Sequence, residues 1–306
     1  IRRWWNTLDH LENIPQKYDD QVARFRELFL DACRIRMRSD VPIGTALSGG
    51  LDSSSILCGM THIRNTTDAS DRLAHDWQKA FIMTYPGAVI DERKYADEVI
   101  KKTGVTPIYC AGNPDLYLDH FDDILFQYEE ISDIHLGPWL VHKFQRENNV
   151  VVTIDGHGGD ELLGGYPWHV TAALKDSVSK LSPRRARDVI AIMKGLELFF
   201  FFLFYVKSAR ALFAKMTQQD HQSWLTQPVA NFTSSAYQHD MPLIKDRDAL
   251  FKSLYVDFHF TQLPMNLRDF DRLSMAHGVE VRSPFMDWRL VCYSFSLPST
   301  VKVGSG

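Results

Sequence analysis

Cysteine is scarce in this chain. Cys33, Cys58, Cys110 and Cys292 stand far apart, and no two form a Cys-x-x-Cys pair. That spacing gives neither a disulfide framework nor a zinc site, and it fits a reducing, cytoplasmic setting. Basic charge is not concentrated either. The net charge is −4 and no long Lys/Arg run occurs, which disfavours a non-specific nucleic-acid surface. No secretory leader opens the sequence. One apolar run, Leu196–Val206, is far shorter than the ~20 residues of a membrane span. It reads as a buried helix or as a face docking another domain or partner, and no membrane association is expected. A Walker Gly-Lys-Ser/Thr turn is also missing.

What is present is a large apolar fraction. With 306 residues, 45% apolar and 12% aromatic, the chain can bury a core as one large domain or two lobes. Its most informative stretch runs Val41-Pro-Ile-Gly-Thr-Ala-Leu-Ser-Gly-Gly-Leu-Asp-Ser-Ser-Ser-Ile56. A short apolar strand here feeds a helix through Ser48-Gly49-Gly50. Such a turn points backbone N–H groups at the positive end of a helix dipole. Glycines let that backbone close around an anion, and Ser53, Ser54 and Ser55 can cap the helix or bond phosphate oxygens. Asp52 is the odd member. A carboxylate beside a phosphate cradle repels the ligand unless a divalent cation lies between them, which points to Mg²⁺ and a polyphosphate.

A second apolar strand runs into a glycine-rich turn at Val151-Val-Thr-Ile-Asp-Gly-His-Gly-Gly-Asp-Glu-Leu-Leu-Gly-Gly-Tyr166. Periodicity adds an amphipathic helix over Tyr18–Arg38 with Val22, Phe25, Phe29 and Ala32 inward. It also gives a helix over Ser53–Met60, a polar connection over 64–77, and a strand over Ala80–Tyr85. A helix over Asp91–Thr103 with Tyr95, Val99 and Ile100 inward ends at Gly104, and strands follow at Val105–Tyr109 and Val150–Ile154. Strands alternating with helices predict an α/β fold, a parallel sheet with helices on both faces. Sites in such sheets lie beyond the carboxyl ends of the strands, where both glycine turns sit, so Asp52 and Asp160 can converge. Beyond Pro167 the pattern becomes mainly helical and carries a later motif, Leu267–Asp287.

Ser-Gly-Gly-x-Asp-Ser resembles the signature of the ATP pyrophosphatases, which split ATP between its α and β phosphates. Taken with the turn after Val151 and with Leu267–Asp287, in this order, the chain is similar to the synthetase domain of the asparagine synthetase family, from about Tyr18 to Leu297 and more weakly over 168–250. The resemblance implies an adenine nucleotide alpha hydrolase-like core over 18–166, completed by a mainly helical part over 167–306. Residues 1–17 would then be an inter-domain segment, with a preceding glutaminase domain outside the chain.

The implied reaction is ATP-dependent adenylation of a small-molecule carboxylate with release of pyrophosphate, then transfer of the acyl group to ammonia or an amine. The donor would be free or supplied by a glutaminase domain or chain, and a homodimer is among the expected assemblies. By the same resemblance, Asp52 and Asp160 hold Mg²⁺, while Ser48, Gly49, Gly50 and Ser53 grip pyrophosphate. Backbone around Ala46 and Met83 holds adenine, and Asp155 and Gly156 lie near the ribose or adenylate. For Asp52 and Asp160 the alternative is a turn carboxylate bonding its own backbone.

His157 departs from the family's Ser-Gly-Glu-Gly pattern. A histidine suits deprotonating an amine nucleophile, or it merely bonds within the turn. Arg272 and Arg282 can bind phosphate or a substrate carboxylate, Arg282 being the catalytic candidate, or pair with Asp269, Asp271, Glu280 or Asp287. His277 reads as a packed or capping residue. Asparagine formation stands beside a specialised amide, lactam or macrolactam synthesis. A tRNA-modifying pyrophosphatase should show a basic face or paired cysteines, and neither is present. A non-catalytic nucleotide-binding partner is the remaining alternative.

Overall fold

Five short strands, β1 (Ile43–Ala46), β2 (Lys79–Thr84), β3 (Thr106–Ala111), β4 (Val152–Ile154) and β5 (Glu280–Arg282), form one sheet in the order β3-β2-β1-β4-β5. Every neighbouring pair is parallel. They belong to a computed structural model that describes residues 3–66, 79–88, 91–112, 114–129, 136–179, 182–195 and 235–303. The apolar run Leu196–Val206 and the polar connection from residue 67 onward lie outside the described residues.

Parallel neighbours require crossovers, and helices supply them. In chain order they are α1 (Tyr18–Arg36), α2 (Leu51–Thr66), α3 (Arg93–Thr103), α4 (Pro114–Asp119), α5 (Phe121–Tyr128), α6 (Leu136–Glu147) and α7 (Gly159–Leu163). Then come α8 (Pro167–Ser179), α9 (Pro183–Gly195), α10 (Ser235–Leu243), α11 (Ala249–His259), α12 (Gln262–Met275), α13 (Trp288–Ser296) and α14 (Ser299–Lys302). None of the described helices is long and apolar enough to cross a membrane.

The period of a strand explains the two covered faces. In β2, Ala80 and Ile82 pack with Leu47, Leu57, Ala96 and Val105, toward α2 and α3. Phe81, pointing the other way, packs with Cys110, Val141 and Val150, toward α6. Ile124, Tyr128, Trp139, Leu140 and Leu273 extend that second layer through α5, α6 and α12. The expected parallel α/β sheet is thus observed.

Three local expectations change. In α1 the buried stripe is Gln21, Leu28, Phe29, Ala32 and Cys33, and Val22 is exposed. Phe29 and Ala32 are buried as expected, and the first turn buries Gln21 in place of Val22, with Gln21 Nε2 donating to Pro15 O at 2.7 Å. In α3 Val99 and Ile100 pack inward beside Ala96 as expected, while Tyr95 is exposed. Finally, α2 runs to Thr66 because its apolar stripe continues through Met60 and Ile63. Gly104 does end α3, in the left-handed conformation at φ 70°.

Two compact units emerge. The first comprises Ile1–Leu162 with Thr261–Ser296, the second Leu163–Phe260 with Leu297–Gly306. Strand β5 belongs to the first, so the region beyond Pro167 is not wholly helical: Glu280–Arg282 returns to the sheet beside β4. Its three residues are partly exposed and polar at both ends, as an edge strand allows, and so leave no apolar signal. Within the second unit the start of α11 is held by carboxylates. Both oxygens of buried Asp176 accept from Ala249 N (2.7 Å) and Leu250 N (2.9 Å), and Asp248 Oδ1 accepts from Phe251 N at 2.9 Å.

Candidate functional site

The turn after β1 closes on itself through its serines. Ser48 N donates to Ser53 Oγ (3.3 Å), Gly50 N donates to Ser48 Oγ (3.1 Å), and the two hydroxyls lie 3.0 Å apart. Gly49 sits at φ 86°, a conformation side chains rarely adopt. A Cβ there would stand 2.6 Å from Ala96 N and 2.7 Å from Tyr95 Cβ, so this turn is pressed onto the first turn of α3. The sequence folds this way because only glycine permits both the dihedral and the approach.

The turn after β4 meets the start of α2. A Cβ on Gly156 would lie 2.8 Å from Asp52 Cβ, and one on Gly159 would lie 2.2 Å from Asp52 Oδ2. Gly159 thus opens the space that the Asp52 carboxylate fills. The backbone N–H of Asp160 donates to that carboxylate, and the Asp160 and Glu161 carboxylates lie close enough to repel it. Burial, reinforced by those two charges, pushes Asp52 up to about 7. Asp52 and Asp160 therefore come together, as their strand-end positions suggested. Glu161, which the sequence reading left without a role, is buried, with Asn266 Nδ2 3.5 Å from its Oε1. Its only sequence signal was adjacency to Asp160.

These carboxylates fit a divalent cation. Crowded carboxylates that repel one another are relieved when a cation enters between them. Among the described residues no cluster of three or more His, Cys, Asp or Glu forms a cage for a metal. One or two carboxylates completed by substrate phosphates is how magnesium is usually held.

Asp155 is buried at the carboxyl end of β4. Its Oδ1 accepts from Thr153 Oγ1 at 2.9 Å and from Ala46 N at 3.4 Å, which joins two of the candidate nucleotide contacts. Met83 is partly buried, and its position pairs with Cys110 in the β2–β3 ladder. The ring of His157 meets Phe270 edge-on, with centroids 4.3 Å apart. Its Nδ1 is buried with no hydrogen-bond partner among the described residues. Burial lowers its pKa, and the Asp155 carboxylate only partly opposes this, so the neutral ring is favoured. A neutral imidazole with an unengaged nitrogen can accept a proton. The hydrogen-bonded turn histidine of the alternative reading is not what the structure shows. Phe270, one turn of α12 from Asn266, had no sequence signal beyond its place in the later motif.

The arginines go elsewhere. Arg282 donates from Nε to Glu280 Oε1 (2.7 Å) and from Nη1 to the carbonyls of Arg36 (2.9 Å) and Arg38 (2.7 Å). The alternative of an internal ion pair with Glu280 is therefore the observed one. The guanidinium satisfies carbonyls at the end of α1, a position that favours a cation. Arg282→Met is expected to lower the unfolding free energy by about 1–2 kcal/mol, measured by urea titration. Unchanged stability would mean that water replaces those bonds at no cost. Arg272 likewise donates to Tyr128 O at 2.8 Å. His277 packs edge-on against Trp139, with centroids 4.8 Å apart, and burial lowers its pKa to about 4, in keeping with a packed residue.

Known proteins resemble this chain in sequence. The asparagine synthase family matches residues 24–306. The chain is 25% identical over 316 residues to asparagine synthetase [glutamine-hydrolyzing] 3 of Bacillus subtilis, covering 99% of this chain and 46% of that protein. It is 33% identical over 190 residues to a putative asparagine synthetase [glutamine-hydrolyzing] 2 of Methanocaldococcus jannaschii, covering 58% and 32%. A third relative, amidase chry2 of Gibberella zeae, is 23% identical over 316 residues, covering 93% and 47%. The chain spans about half the length of such relatives, or less.

Proposed function

Because the chain belongs to the asparagine synthase family, we propose that it is the synthetase portion of an ATP-dependent amide-forming ligase of the glutamine-hydrolysing asparagine synthetase type. It would adenylate a carboxylate with release of pyrophosphate, then pass the acyl group to ammonia or an amine with release of AMP. One observation carries this reading: Asp52 is pressed into a glycine-made space against Asp160 and Glu161, at the start of a helix behind a Ser-Gly-Gly turn.

Each residue then has a task. The Ser48, Gly49, Gly50 and Ser53 turn exchanges its internal hydroxyl bonds for phosphate oxygens at the helix N-terminus. Asp52 and Asp160 would hold Mg²⁺, which neutralises the polyphosphate and polarises the phosphate under attack. Backbone around Ala46 and Met83, at the ends of β1 and β2, faces adenine, while Asp155 and Gly156 face the ribose or adenylate. His157 accepts a proton from the amine as nitrogen attacks the acyl carbon, then returns it to solvent.

A specialised amide synthesis on a carboxylate other than aspartate is the second reading, and His157 favours it. Its neutral ring against Phe270 offers no fixed negative charge to hold ammonium, unlike a glutamate. The experiment is pyrophosphate release by the intact protein with Mg-ATP, ammonium and either aspartate or a panel of other carboxylic acids. Release with aspartate and matching asparagine is the expected result. Release with another acid alone selects the second reading, and silence throughout with ATP still bound overturns both.

A further inference from the structure

Beneath the site runs a buried polar chain that the reaction itself does not use. His142 and Gln145 lie on α6, and Thr153 lies on β4. All three are at most 1% exposed. His142 Nδ1 is 2.9 Å from Gln145 Oε1, Gln145 Nε2 is 3.0 Å from Thr153 Oγ1, and Thr153 Oγ1 is 2.9 Å from Asp155 Oδ1.

The proton positions follow from elementary chemistry. An ionised Asp155 only accepts, so the single hydroxyl proton of Thr153 goes to it. Thr153 must then receive a proton, and Gln145 supplies one from Nε2. The reverse placement of that amide would face Oε1 toward a hydroxyl with no proton left to share. Gln145 Oε1 in turn accepts, which fixes His142 as the tautomer protonated at Nδ1. Every donor in the chain therefore points one way, toward Asp155 Oδ1, and Ala46 N reaches the same oxygen at 3.4 Å. Thr153 Oγ1 also lies 3.4 Å from Gly44 O, a longer and less favourable place for its one proton.

Such a chain is costly to keep. Three polar side chains removed from water gain little net stability even when fully paired, and apolar residues of similar size would pack there as well. What the relay achieves is local: it holds the Asp155 carboxylate in one orientation through serial donors. We propose that His142, Gln145 and Thr153 are positioning residues that set Asp155 for its contact with the nucleoside part of ATP. This rests on the reading of Asp155 as a ribose or adenylate contact.

The test compares two probes on the intact protein, Mg-ATP and inorganic pyrophosphate with Mg²⁺, by calorimetry. Pyrophosphate reports on the Ser-Gly-Gly turn, while ATP also engages the nucleoside side. Thr153→Val is expected to weaken ATP about five- to tenfold, the net worth of one typical hydrogen bond, and to leave pyrophosphate within about twofold. Thr153→Ser, which keeps the hydroxyl, restores ATP binding. Gln145→Leu, tested in parallel, reproduces the selective loss should Thr153→Val fold poorly.

Equal weakening of both probes would mean that the relay merely supports the fold, and the proposal falls. Asp155→Asn separates the remaining failures. If it weakens ATP while Thr153→Val and Gln145→Leu do not, the relay is idle and the reading of Asp155 survives. If Asp155→Asn leaves ATP binding unchanged, that reading falls and the positioning proposal falls with it.

Discussion

Asp52→Asn is expected to abolish ATP-dependent pyrophosphate release, by a factor of about 10³ or more, while making the unliganded protein more stable at alkaline pH. The two effects share one cause. Asp52 is buried against Asp160 and Glu161, and its pKa stands at about 7 against an ordinary 3.8. A carboxyl with a raised folded pKa holds its proton in the folded state after the unfolded chain has released it. Folding stability therefore falls as pH rises from about 4 to 7, and it stays low above that window. At ~1.4 kcal/mol per pH unit the full shift corresponds to roughly 4 kcal/mol, and partial solvation brings the expected cost to about 2–4 kcal/mol.

The asparagine variant never ionises. Its melting temperature should exceed that of the native protein at pH 8, and the gain should vanish toward pH 4. Adding Mg²⁺ should raise the melting temperature of the native protein and not that of the variant. A variant that melts at the same temperature at pH 8, or that still turns over, would remove Asp52 from the role assigned to it. The site keeps a destabilising charge in reserve for its ligand, a common trade at functional carboxylates.

Gly49→Ala should cost about 2–4 kcal/mol and most of the nucleotide affinity, although it adds one methyl group. Two penalties coincide. The residue sits at φ 86°, and the added Cβ would stand 2.6 Å from Ala96 N and 2.9 Å from Tyr95 C, which are backbone atoms unable to rotate away. Gly104→Ala provides the contrast. It too has positive φ, at 70°, but nothing lies within 4 Å of its would-be Cβ, so only the dihedral cost of about 1 kcal/mol is expected. Urea unfolding of both variants decides the matter. Equal losses would show that crowding against α3 contributes nothing, and that the turn is not pressed as the geometry indicates.

The relation of sequence to structure is clearest at those two turns. Ser48-Gly49-Gly50 and Gly156–Gly159 were visible as glycine-rich joints because a left-handed dihedral and a close backbone approach leave glycine as the only residue that fits. Strands β1, β2 and β4 were legible because buried parallel strands are short apolar runs, and β3, an edge strand partly exposed, still carries Ile108 and Tyr109 among β-forming residues. Strand β5 was not, since an edge strand of three residues with charged ends has no such signature. Val22 and Tyr95 were placed inward because periodicity fixes a stripe only to within one residue. What chooses Gln21 and Ala96 instead is a bond to Pro15 O and packing against Leu47 and Ile82, neither of which periodicity records.

The sequence alone determined the chemistry on offer: a Ser-Gly-Gly turn of the kind that can cradle phosphate, two acidic residues in glycine-rich turns, and a histidine between glycines. Residue type and local spacing carry that information. Tertiary structure decided which of these groups meet. It brought Asp160 and Glu161 against Asp52, sent Arg282 to the end of α1, and laid His157 on Phe270 with one nitrogen unengaged. It also ran a buried donor chain from α6 to Asp155. The carboxylate cluster, the Arg282 bonds and the His157–Phe270 contact join segments more than a hundred residues apart, while the donor chain joins near neighbours that only the packing of α6 on the sheet turns toward one another. Desolvation and long-range packing act only once the chain has closed on itself, and no local pattern records them.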